Sequence, residues 1–335
     1  MHASKAPLRV ALLGAGRIGR IHGLNIAAHA RARLVAVADA DERAAGDLAE
    51  RVGCTVREAA AAVAAPDVDA VAICTPTDTH AELIEAAAGA GKAIFCEKPI
   101  SLDLARAEAC IAVVERRGVP LMLGFNRRFD PSFAAVKRRI QEGQVGSVEL
   151  VTILSRDPEP PSADYAARSG GLFRDMAVHD FDMARFLLGD EPVEVHAVGS
   201  SLVDPAIGRA GDVDTAAVLL RTAGGRIAQI SNSRRATYGY DQRVEVHGSL
   251  GLLAAENRRP TTVAFSGAAG TSIDPVLPFF LERYEAAYRA EIDAFVTGVL
   301  DGKPLSPTGQ DGLAAQRLAD AATEAVRTGS AVRLG

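Results

Sequence analysis

The sequence predicts an α/β fold in two parts: a doubly wound parallel sheet over residues 1–125 and an α+β domain with a large open antiparallel sheet over residues 126–335. In the first part, apolar strand-like runs alternate with helical segments, which is typical of parallel strands covered by helices on both faces. The second part is predicted by closely spaced segments in which polar and apolar residues alternate.

The first part contains five apolar runs that we predict as strands, at residues 8–13, 34–38, 70–74, 93–96 and 120–124. Helices fill the gaps, including those predicted at residues 41–51, 79–90 and 103–117. The carboxyl ends of the strands in such a sheet line a ligand crevice, so the residues after each strand are candidates for binding.

A glycine loop, Gly14-Ala15-Gly16-Arg17-Ile18-Gly19, follows the first strand and leads into a helix. In such a loop the first glycine makes a tight turn, the second lets the main chain approach a pyrophosphate, and the third lets the helix pack against its strand. The helix N-terminus then offers unpaired N–H groups to the phosphates. This order of elements predicts a dinucleotide site in a Rossmann-type domain.

An acidic residue, Asp39, follows the second strand, 20 residues beyond Gly19. A carboxylate at this point accepts the hydroxyls of an adenosine ribose. Asp41 adds a second negative charge, and no arginine immediately follows to receive a 2′-phosphate. We therefore expect NAD rather than NADP.

The second part begins with a helix predicted at 131–142, and a further helix at 173–188 interrupts its strands. Helices at 280–301 and 309–327 close the chain, and Gly224-Gly225 predicts a hairpin turn. The predicted strands lie at 147–155, 193–202, 213–221, 226–233, 242–247, 251–256 and 261–265.

Composition indicates a soluble cytoplasmic enzyme. The net charge of −5, with both signs interspersed, gives no basic stripe for nucleic acid, and the apolar runs are too short to span a membrane. Met1 to Pro7 is too short for a signal peptide, and Arg17 ends any apolar core of one. The four cysteines lack zinc spacing, so we expect free thiols in a reducing compartment and no metal.

The segment Glu97-Lys98-Pro99 follows the fourth strand directly. Pro99 restricts Lys98 to extended geometry and so fixes the direction of the lysine at the edge of the sheet. A surface ion pair in a turn is the alternative. The glycine loop upstream favours a functional site instead.

The predicted helix at 173–188 places Asp175, His179 and Asp182 on one face. Carboxylates there can orient the imidazole, whose other nitrogen can take a proton from a substrate hydroxyl. The alternatives are a metal site on Asp175 and His179, or a surface helix with favourable charge pairs. The preceding Gly170-Gly171, where backbone can approach a ligand, favours catalysis.

Two further segments, Ser155-Arg156-Asp157-Pro158 and Tyr238-Gly239-Tyr240-Asp241, lie at predicted strand ends. Their side chains could bind a polyol, although each segment alone also suits an ordinary turn. His80 opens a helix at the predicted crevice, after Thr75-Pro76.

The glycine loop, Cys74-Thr75-Pro76-Thr77 with His80, Glu97-Lys98-Pro99 and the Asp175/His179 pair occur in this order along almost the whole chain. Together they resemble the Gfo/Idh/MocA oxidoreductase family, and the Glu-Lys-Pro motif is particularly specific. The resemblance implies NAD as the cofactor. The implied cofactor-binding residues are Gly14, Gly16, Arg17, Ile18, Asp39, Thr75, Pro76, His80, Glu97 and Lys98.

Within this family, the segments at 155–158, 170–182 and 238–241 resemble the inositol-oxidising members. This implies oxidation of myo-inositol to 2-keto-myo-inositol with NAD+, commonly by a homotetramer built through the C-terminal sheets. We expect His179 as the base, oriented by Asp175, with Lys98 polarising the reacting oxygen; whether Lys98 or His179 is the proximal base stays open. The expected substrate-binding residues are Asn126, Arg127, Asp157, Asp175, His179 and Tyr240, with Tyr238 as a weaker candidate.

Three alternatives remain open at the level of sequence. The first is a dehydrogenase of another cyclitol or sugar on the same motifs. The second is a catalytically silent NAD-sensing regulator, which would be expected to lose Lys98 or His179, yet both are present. The third is a methyltransferase, against which Glu97-Lys98-Pro99 and the separate antiparallel domain argue.

Overall fold

The computed structural model describes residues 6–335, apart from the side chains of residues 163, 164 and 167. Most of the predicted N-terminal tail, Met1 to Pro7, therefore lies outside the described residues. The chain divides into two compact units. The first comprises Met1–Asn126 with Ala287–Ala314, and the second comprises Arg127–Ala286 with Ala315–Gly335. We predicted a single boundary after residue 125, whereas Ala287–Ala314 return to the first unit.

The first unit contains a six-stranded sheet in which every pairing is parallel. Its order, β3-β2-β1-β4-β5-β6, changes direction between β1 and β4, where a ligand crevice is expected at the carboxyl ends. The very short β3 was not predicted. The strands are β1 (Leu8–Leu13), β2 (Ala32–Ala38), β3 (Thr55–Val56), β4 (Ala70–Ile73), β5 (Ala93–Cys96) and β6 (Leu121–Leu123).

Helices connect these strands, and their ends have clear local causes. Asp41 caps the second helix by accepting from the N–H groups of Arg43 and Ala44, and Gly53 ends it in the left-handed region. Strands β4 and β5 are buried throughout, as expected for a sheet covered on both faces. The connecting helices are α1 (Arg17–Ala28), α2 (Glu42–Val52), α3 (Ala59–Ala64), α4 (His80–Gly89) and α5 (Leu104–Arg117).

The second unit is built on a seven-stranded sheet of order β12-β11-β7-β10-β9-β8-β15. The sheet is mixed rather than purely antiparallel, because β10 pairs with β7 in parallel. Alternating burial predicts which face of a strand is covered, but it does not predict the direction of the neighbouring strand. The strands are β7 (Val148–Arg156), β8 (Pro192–Ser200), β9 (Thr215–Thr222), β10 (Ile227–Ser233), β11 (Asp241–Gly248), β12 (Gly251–Ala255) and β15 (Val332–Arg333).

A separate two-stranded hairpin, β13 (Ala264–Gly267) with β14 (Gly270–Ile273), replaces the single strand that we predicted at 261–265. Both of its strands are exposed on both faces, so they carry no alternating pattern that sequence could reveal.

The predicted helix at 173–188 is two helices with a break at Met176-Ala177, and the predicted helix at 280–301 is divided at Tyr284. Helix α9 packs on β7 and β10, which covers one face of the sheet. The remaining helices are α6 (Pro131–Gln141), α7 (Ala163–Arg168), α8 (Gly171–Asp175), α9 (Val178–Leu188), α10 (Pro205–Arg209), α11 (Phe280–Arg283), α12 (Glu285–Asp301) and α13 (Gly309–Thr328).

Candidate active site

The glycine loop has no room for side chains at two of its positions. Gly14 has a φ of +98°, and a Cβ there would lie 2.5 Å from the carbonyl of Cys74. A Cβ on Gly19 would lie 2.0 Å from the carbonyl oxygen of Gly14. Both are well below van der Waals contact, so the tight turn and the close helix packing predicted from sequence are confirmed.

The second glycine of the loop, Gly16, faces open space. A Cβ on Gly16 would have no neighbouring atom within 4 Å among the described residues. Helix α1 begins at the next residue, Arg17, which is exposed, and Ile18 is partly buried. The first turn of the helix contains no acidic residue that would compete with a phosphate. This cradle of main-chain N–H groups fits a pyrophosphate.

The carboxylate of Asp39 is fixed beside the loop. Its Oδ2 accepts a hydrogen bond of 2.5 Å from the N–H of Ala15, and its Oδ1 accepts one of 2.8 Å from the N–H of Asp41. Asp39 remains partly exposed, so its oxygens retain lone pairs for ribose hydroxyls. The loop and the acid are therefore held together in an arrangement that would fit an adenosine diphosphate group.

His80 has a different role from the direct cofactor contact that we expected. Its ring is buried, with Nδ1 2.7 Å from the carbonyl oxygen of Pro99 and Nε2 2.8 Å from that of Thr75. Main-chain oxygens therefore occupy both ring nitrogens. His80 ties the turn after β4 to the turn after β5, which positions Thr75, exposed Pro76 and partly buried Lys98.

Two other predicted residues are held within the first unit. The Glu97 carboxylate lies 2.7 Å from Nε2 of buried His22, so one of its oxygens is held by that ring. Asn126 is buried, and its amide nitrogen has no hydrogen-bond partner among the described residues. An unpaired buried donor is costly, which favours a polar ligand at this amide.

In the second unit, a break at Met176-Ala177 lies between Asp175 and His179, so the continuous helix on which we predicted a shared face is wrong. The N–H of His179 donates to the carbonyl of Met176 rather than to that of Asp175. Asp182 is also not part of a catalytic face, because it is buried in an ion pair with Arg128, with 2.5 Å between Nη2 and Oδ1. His179 itself is partly exposed.

Two side chains that sequence analysis missed bind Asp175. The Tyr165 hydroxyl donates to its Oδ1 at 3.1 Å, and Nη2 of Arg234 donates to its Oδ2 at 3.2 Å. Arg234 is 2% exposed, and its Nε is buried without a hydrogen-bond partner among the described residues. The position of Arg234 directly after β10 was the available signal, since strand ends in this part of the chain were already candidates.

Asp157 follows β7 and is electrostatically coupled to the same group. Desolvation raises the pKa of Asp157 to about 6, opposed by the positive charge of Arg234 and reinforced by the negative charge of Asp175. A carboxyl group that titrates near neutral pH changes its charge within the working range of an enzyme. Asp157, Asp175 and Arg234 therefore form one charged cluster in the second unit.

Arg127, expected to bind substrate, lies in a buried network. Its Nη1 forms an ion pair with Asp180, and its Nη2 lies 3.3 Å from the Ser155 hydroxyl. Asn232 donates to the other oxygen of Asp180 at 2.8 Å. Burial raises the pKa of Asp180, although Arg127 opposes this shift. Removing one partner of such a pair would leave a buried charge uncompensated.

The two tyrosines of the 238–241 segment differ sharply. Tyr240 is buried against Phe279 and Tyr284, and burial raises its pKa well above the usual value. Tyr238 is exposed, and its hydroxyl donates to Asp241 at 2.5 Å.

The free thiols predicted from composition are confirmed, and Cys74, Cys96 and Cys110 are buried. Burial raises the pKa of the Cys110 thiol to about 12, so it is an inert apolar group at neutral pH.

Within residues 6–335, no helix is long and apolar enough to cross a membrane.

Comparison with known proteins gives consistent matches along the chain. Residues 8–125 match the model of the oxidoreductase family with an NAD-binding Rossmann fold, and residues 133–254 match the GFO/IDH/MocA C-terminal domain. An inositol 2-dehydrogenase of Rhizobium meliloti (strain 1021) is 57% identical, over 95% of this chain and 97% of that protein.

Solved structures agree with these matches. A crystal structure described as a proposed myo-inositol dehydrogenase from Sinorhizobium meliloti 1021 has a TM-score of 0.96 and 56% identity, and covers 98% of this chain and 100% of its own. The scyllo-inositol dehydrogenase of Lactobacillus casei, solved with NAD(H) and scyllo-inositol, has a TM-score of 0.89 and 31% identity. It covers 98% of this chain and 99% of its own.

Proposed function

The chain belongs to the Gfo/Idh/MocA oxidoreductase family, and from this premise we propose that it oxidises myo-inositol at C2 to 2-keto-myo-inositol with NAD+. It is an NAD-dependent dehydrogenase acting on a CH–OH group. The polar cluster of Asp157, Asp175 and Arg234 is the observation that carries the choice of substrate. Inositol has hydroxyls all round its ring and no charge, so it is recognised by hydrogen bonds without a phosphate clamp.

The first unit supplies the cofactor site. Gly14, Gly16 and the first turn of α1 hold the pyrophosphate, and Asp39 accepts the hydroxyls of the adenosine ribose. We assign Arg17, Ile18, Thr75 and Pro76 to the edges of the same site. When bound, NAD+ accepts a hydride from the carbon that is oxidised.

His179 is our choice for the group that removes the hydroxyl proton. An alcohol barely ionises at neutral pH, and a base matched to that pH contributes roughly 10²–10⁴-fold to the rate. We assign Asp175 to substrate binding and to orienting the base, because Tyr165 and Arg234 fix its carboxylate. We assign Lys98 to polarising the reacting oxygen.

Arg234 and Tyr165 extend the predicted set of substrate-binding residues. The unpaired Nε of Arg234 would gain a partner from an inositol hydroxyl, and its buried positive charge offsets the repulsion between Asp157 and Asp175. Asp157 and Tyr240 add further hydrogen-bonding groups. Arg127 and Asn126 complete the proposed set.

The cellular location, the assembly and the metabolic role of the protein are also part of the proposal. We propose a cytoplasmic homotetramer that works in inositol catabolism and assembles through the open face of the C-terminal sheet. Apolar side chains on strands of that sheet support the assembly, since exposed apolar patches mark interaction surfaces. They are Val198, Leu219, Ile227 and Leu252.

Identification of the product tests the reaction directly. The enzyme is incubated with myo-inositol and NAD+, and the product is analysed by NMR. We expect a ketone at C2 formed in equal amount with NADH. A ketone at another carbon, or NADH formation only with a different cyclitol or sugar, would refute the assignment while leaving the family unchanged.

A further inference from the structure

In the first unit, three buried or partly buried titratable side chains lie close together beside the turn that follows β5 and contains Lys98 (the Lys98 turn). They are His22 on α1, Glu97 directly after β5, and Glu291 on α12. One ligand atom from each lies within 4.8 Å of the other two. His22 and Glu291 are completely buried, and the Glu97 side chain is 12% exposed.

The protonation of His22 follows from its contacts. Its Nε2 lies 2.7 Å from Oε1 of Glu97, whereas its Nδ1 is buried without a hydrogen-bond partner among the described residues. The ring also packs edge-on against Phe95 and Tyr288. A proton on Nδ1 would be a buried donor without an acceptor, so the neutral form with the proton on Nε2 fits this environment.

Glu291 is unusual because both of its carboxyl oxygens are buried and neither has a hydrogen-bond partner among the described residues. A carboxylate in this position would lack solvation and would lie close to the second negative charge of Glu97. Burial, followed by the charge of Glu97, raises the pKa of Glu291 well above its usual value. Cys74, Cys96 and Tyr288 also lie close to the cluster, and because they are neutral at pH 7 they supply no positive charge to it.

We propose that Glu291 is a neutral carboxylic acid in the folded protein and that its proton allows the Glu97 carboxylate to remain in place directly before Lys98. At a separation of up to 4.8 Å, the acid proton reaches Glu97 through one bridging water or a small side-chain rotation. His22 donates to the same carboxylate from the other element. The cluster then carries a single negative charge, on Glu97.

A proton fits this cluster better than a metal ion. The 2.7 Å separation of His22 Nε2 and Glu97 Oε1 is that of a hydrogen bond, which places a proton between the two atoms. Two ligands bound to one zinc ion at about 2.0–2.2 Å in tetrahedral geometry would stand farther apart than this. We therefore assign a hydrogen bond, and not a metal ion, to the contact between His22 and Glu97. A metal ion bound at the cluster would contradict the proposal.

The cluster positions the Lys98 turn, which gives the protonation a consequence for catalysis. The Glu97 side chain packs against Gly124, where a Cβ would lie 2.9 Å from the carboxyl group. Glu97 is therefore held by His22 on α1 and by the chain after β6, and the proposed proton of Glu291 adds a third contact from α12. This part of the inference rests on the proposed role of Lys98, whereas the protonation of Glu291 does not.

Infrared difference spectroscopy of the full-length protein tests the protonation independently of activity. We expect the wild-type spectrum at pH 7 to contain the carbonyl stretch of a protonated carboxylic acid that is missing in Glu291→Gln. Identical spectra in this region, or stoichiometric metal that is present in the purified wild type and lost in Glu291→Gln, would overturn the proposal.

The pH dependence of thermal unfolding gives a second independent reading. A raised pKa in the folded state stabilises the protein fully below the unfolded value of 4.5, less as the pH rises above it, and not at all beyond the folded value. The Tm of wild type relative to Glu291→Gln should therefore fall as the pH rises above about 5. Parallel Tm profiles would show that Glu291 is ionised, and would refute the proposal.

A pair of variants then tests the positioning of Lys98. Glu291→Leu removes the donor, so Glu97 loses its fixed position and kcat should fall by roughly 10–100-fold through misplacement of Lys98. Glu291→Gln keeps a neutral donor and should restore most of this loss. Equal losses in both variants, each folded by circular dichroism, would contradict a positioning role.

Discussion

The carboxylate of Asp39 accepts a hydrogen bond of 2.5 Å from the main-chain N–H of Ala15. This contact joins the acid after the second strand to the glycine loop after the first. The acid that we propose selects the ribose and the loop that we propose holds the pyrophosphate are therefore fixed relative to one another. Such preorganisation lowers the ordering cost of binding.

Cofactor choice follows from this contact. A 2′-phosphate on the ribose would stand close to the charges of Asp39 and Asp41, so we expect kcat/KM for NAD+ to exceed that for NADP+ by at least roughly 100-fold. Asp39→Ser, combined with Ala40→Arg, should shift the preference toward NADP+. Comparable kcat/KM values for the two cofactors in wild type would contradict this reading.

The catalytic assignment predicts separate effects on chemistry and on cofactor binding. His179→Ala and Lys98→Ala should each lower kcat by roughly 10²–10⁴-fold. NADH binding, measured by fluorescence, should change little in His179→Ala, whereas some loss is expected in Lys98→Ala. His29→Ala is the matched control, because this histidine follows the end of α1 and contacts the exposed carboxylate of Asp293. If His179→Ala keeps a near-normal kcat from about pH 6 to pH 9, the base is another group.

The raised pKa of Asp157 leads us to expect that substrate binding depends on pH. Its pKa is raised to about 6, chiefly by desolvation, so it loses its charge and one acceptor as the pH falls below that value. We expect KM for the substrate to rise below about pH 6 in wild type, and to be higher and nearly independent of pH in Asp157→Asn. A pH-dependent KM that persists unchanged in Asp157→Asn would assign the titration to another group.

The charge of Arg234 opposes the upward shift of the Asp157 pKa, so removing this charge should raise that pKa further. In Arg234→Met the rise in KM should begin at higher pH than in wild type. A midpoint that stays the same, or moves to lower pH, would show that the two residues are not coupled in solution.

We expect subunits to meet at the open face of the C-terminal sheet, as proposed above. Val198 and Leu219 are 70% and 48% exposed on neighbouring strands. Replacing both with lysine would bury charge in a sheet-to-sheet interface and should convert the tetramer to smaller species in sedimentation velocity experiments. Val263→Lys, an equally exposed position outside this sheet, should have no effect. A wild-type monomer, or an intact tetramer in the double variant, would refute this interface.

The order and type of the main elements could be predicted because the first unit repeats a simple pattern. Buried strands such as β4 and β5 read as continuous apolar runs, and the glycine loop has a strict steric requirement at Gly14. The parallel pairing of β10 with β7 could not be predicted, because alternation along a strand contains no information about its neighbours.

The candidate site was predictable where a residue follows a strand, and less so where tertiary contacts decide. Asp39 and Asp157 were found from their place at strand ends. The separation of Asp175 from His179 was missed because the break at Met176-Ala177 involves residues that are ordinary in a helix. Arg234 was missed because its burial beside Asp175 depends on the fold of the whole second unit.

The most direct test of the central claim is the comparison of kcat/KM with NAD+ for myo-inositol, xylose and a sugar phosphate under the same conditions. A site that binds every hydroxyl leaves a buried polar group unpaired when one hydroxyl is missing, so myo-inositol should be favoured at least tenfold, about the energy of one hydrogen bond. Activity confined to the aldose or to the phosphorylated sugar would contradict the account of the substrate.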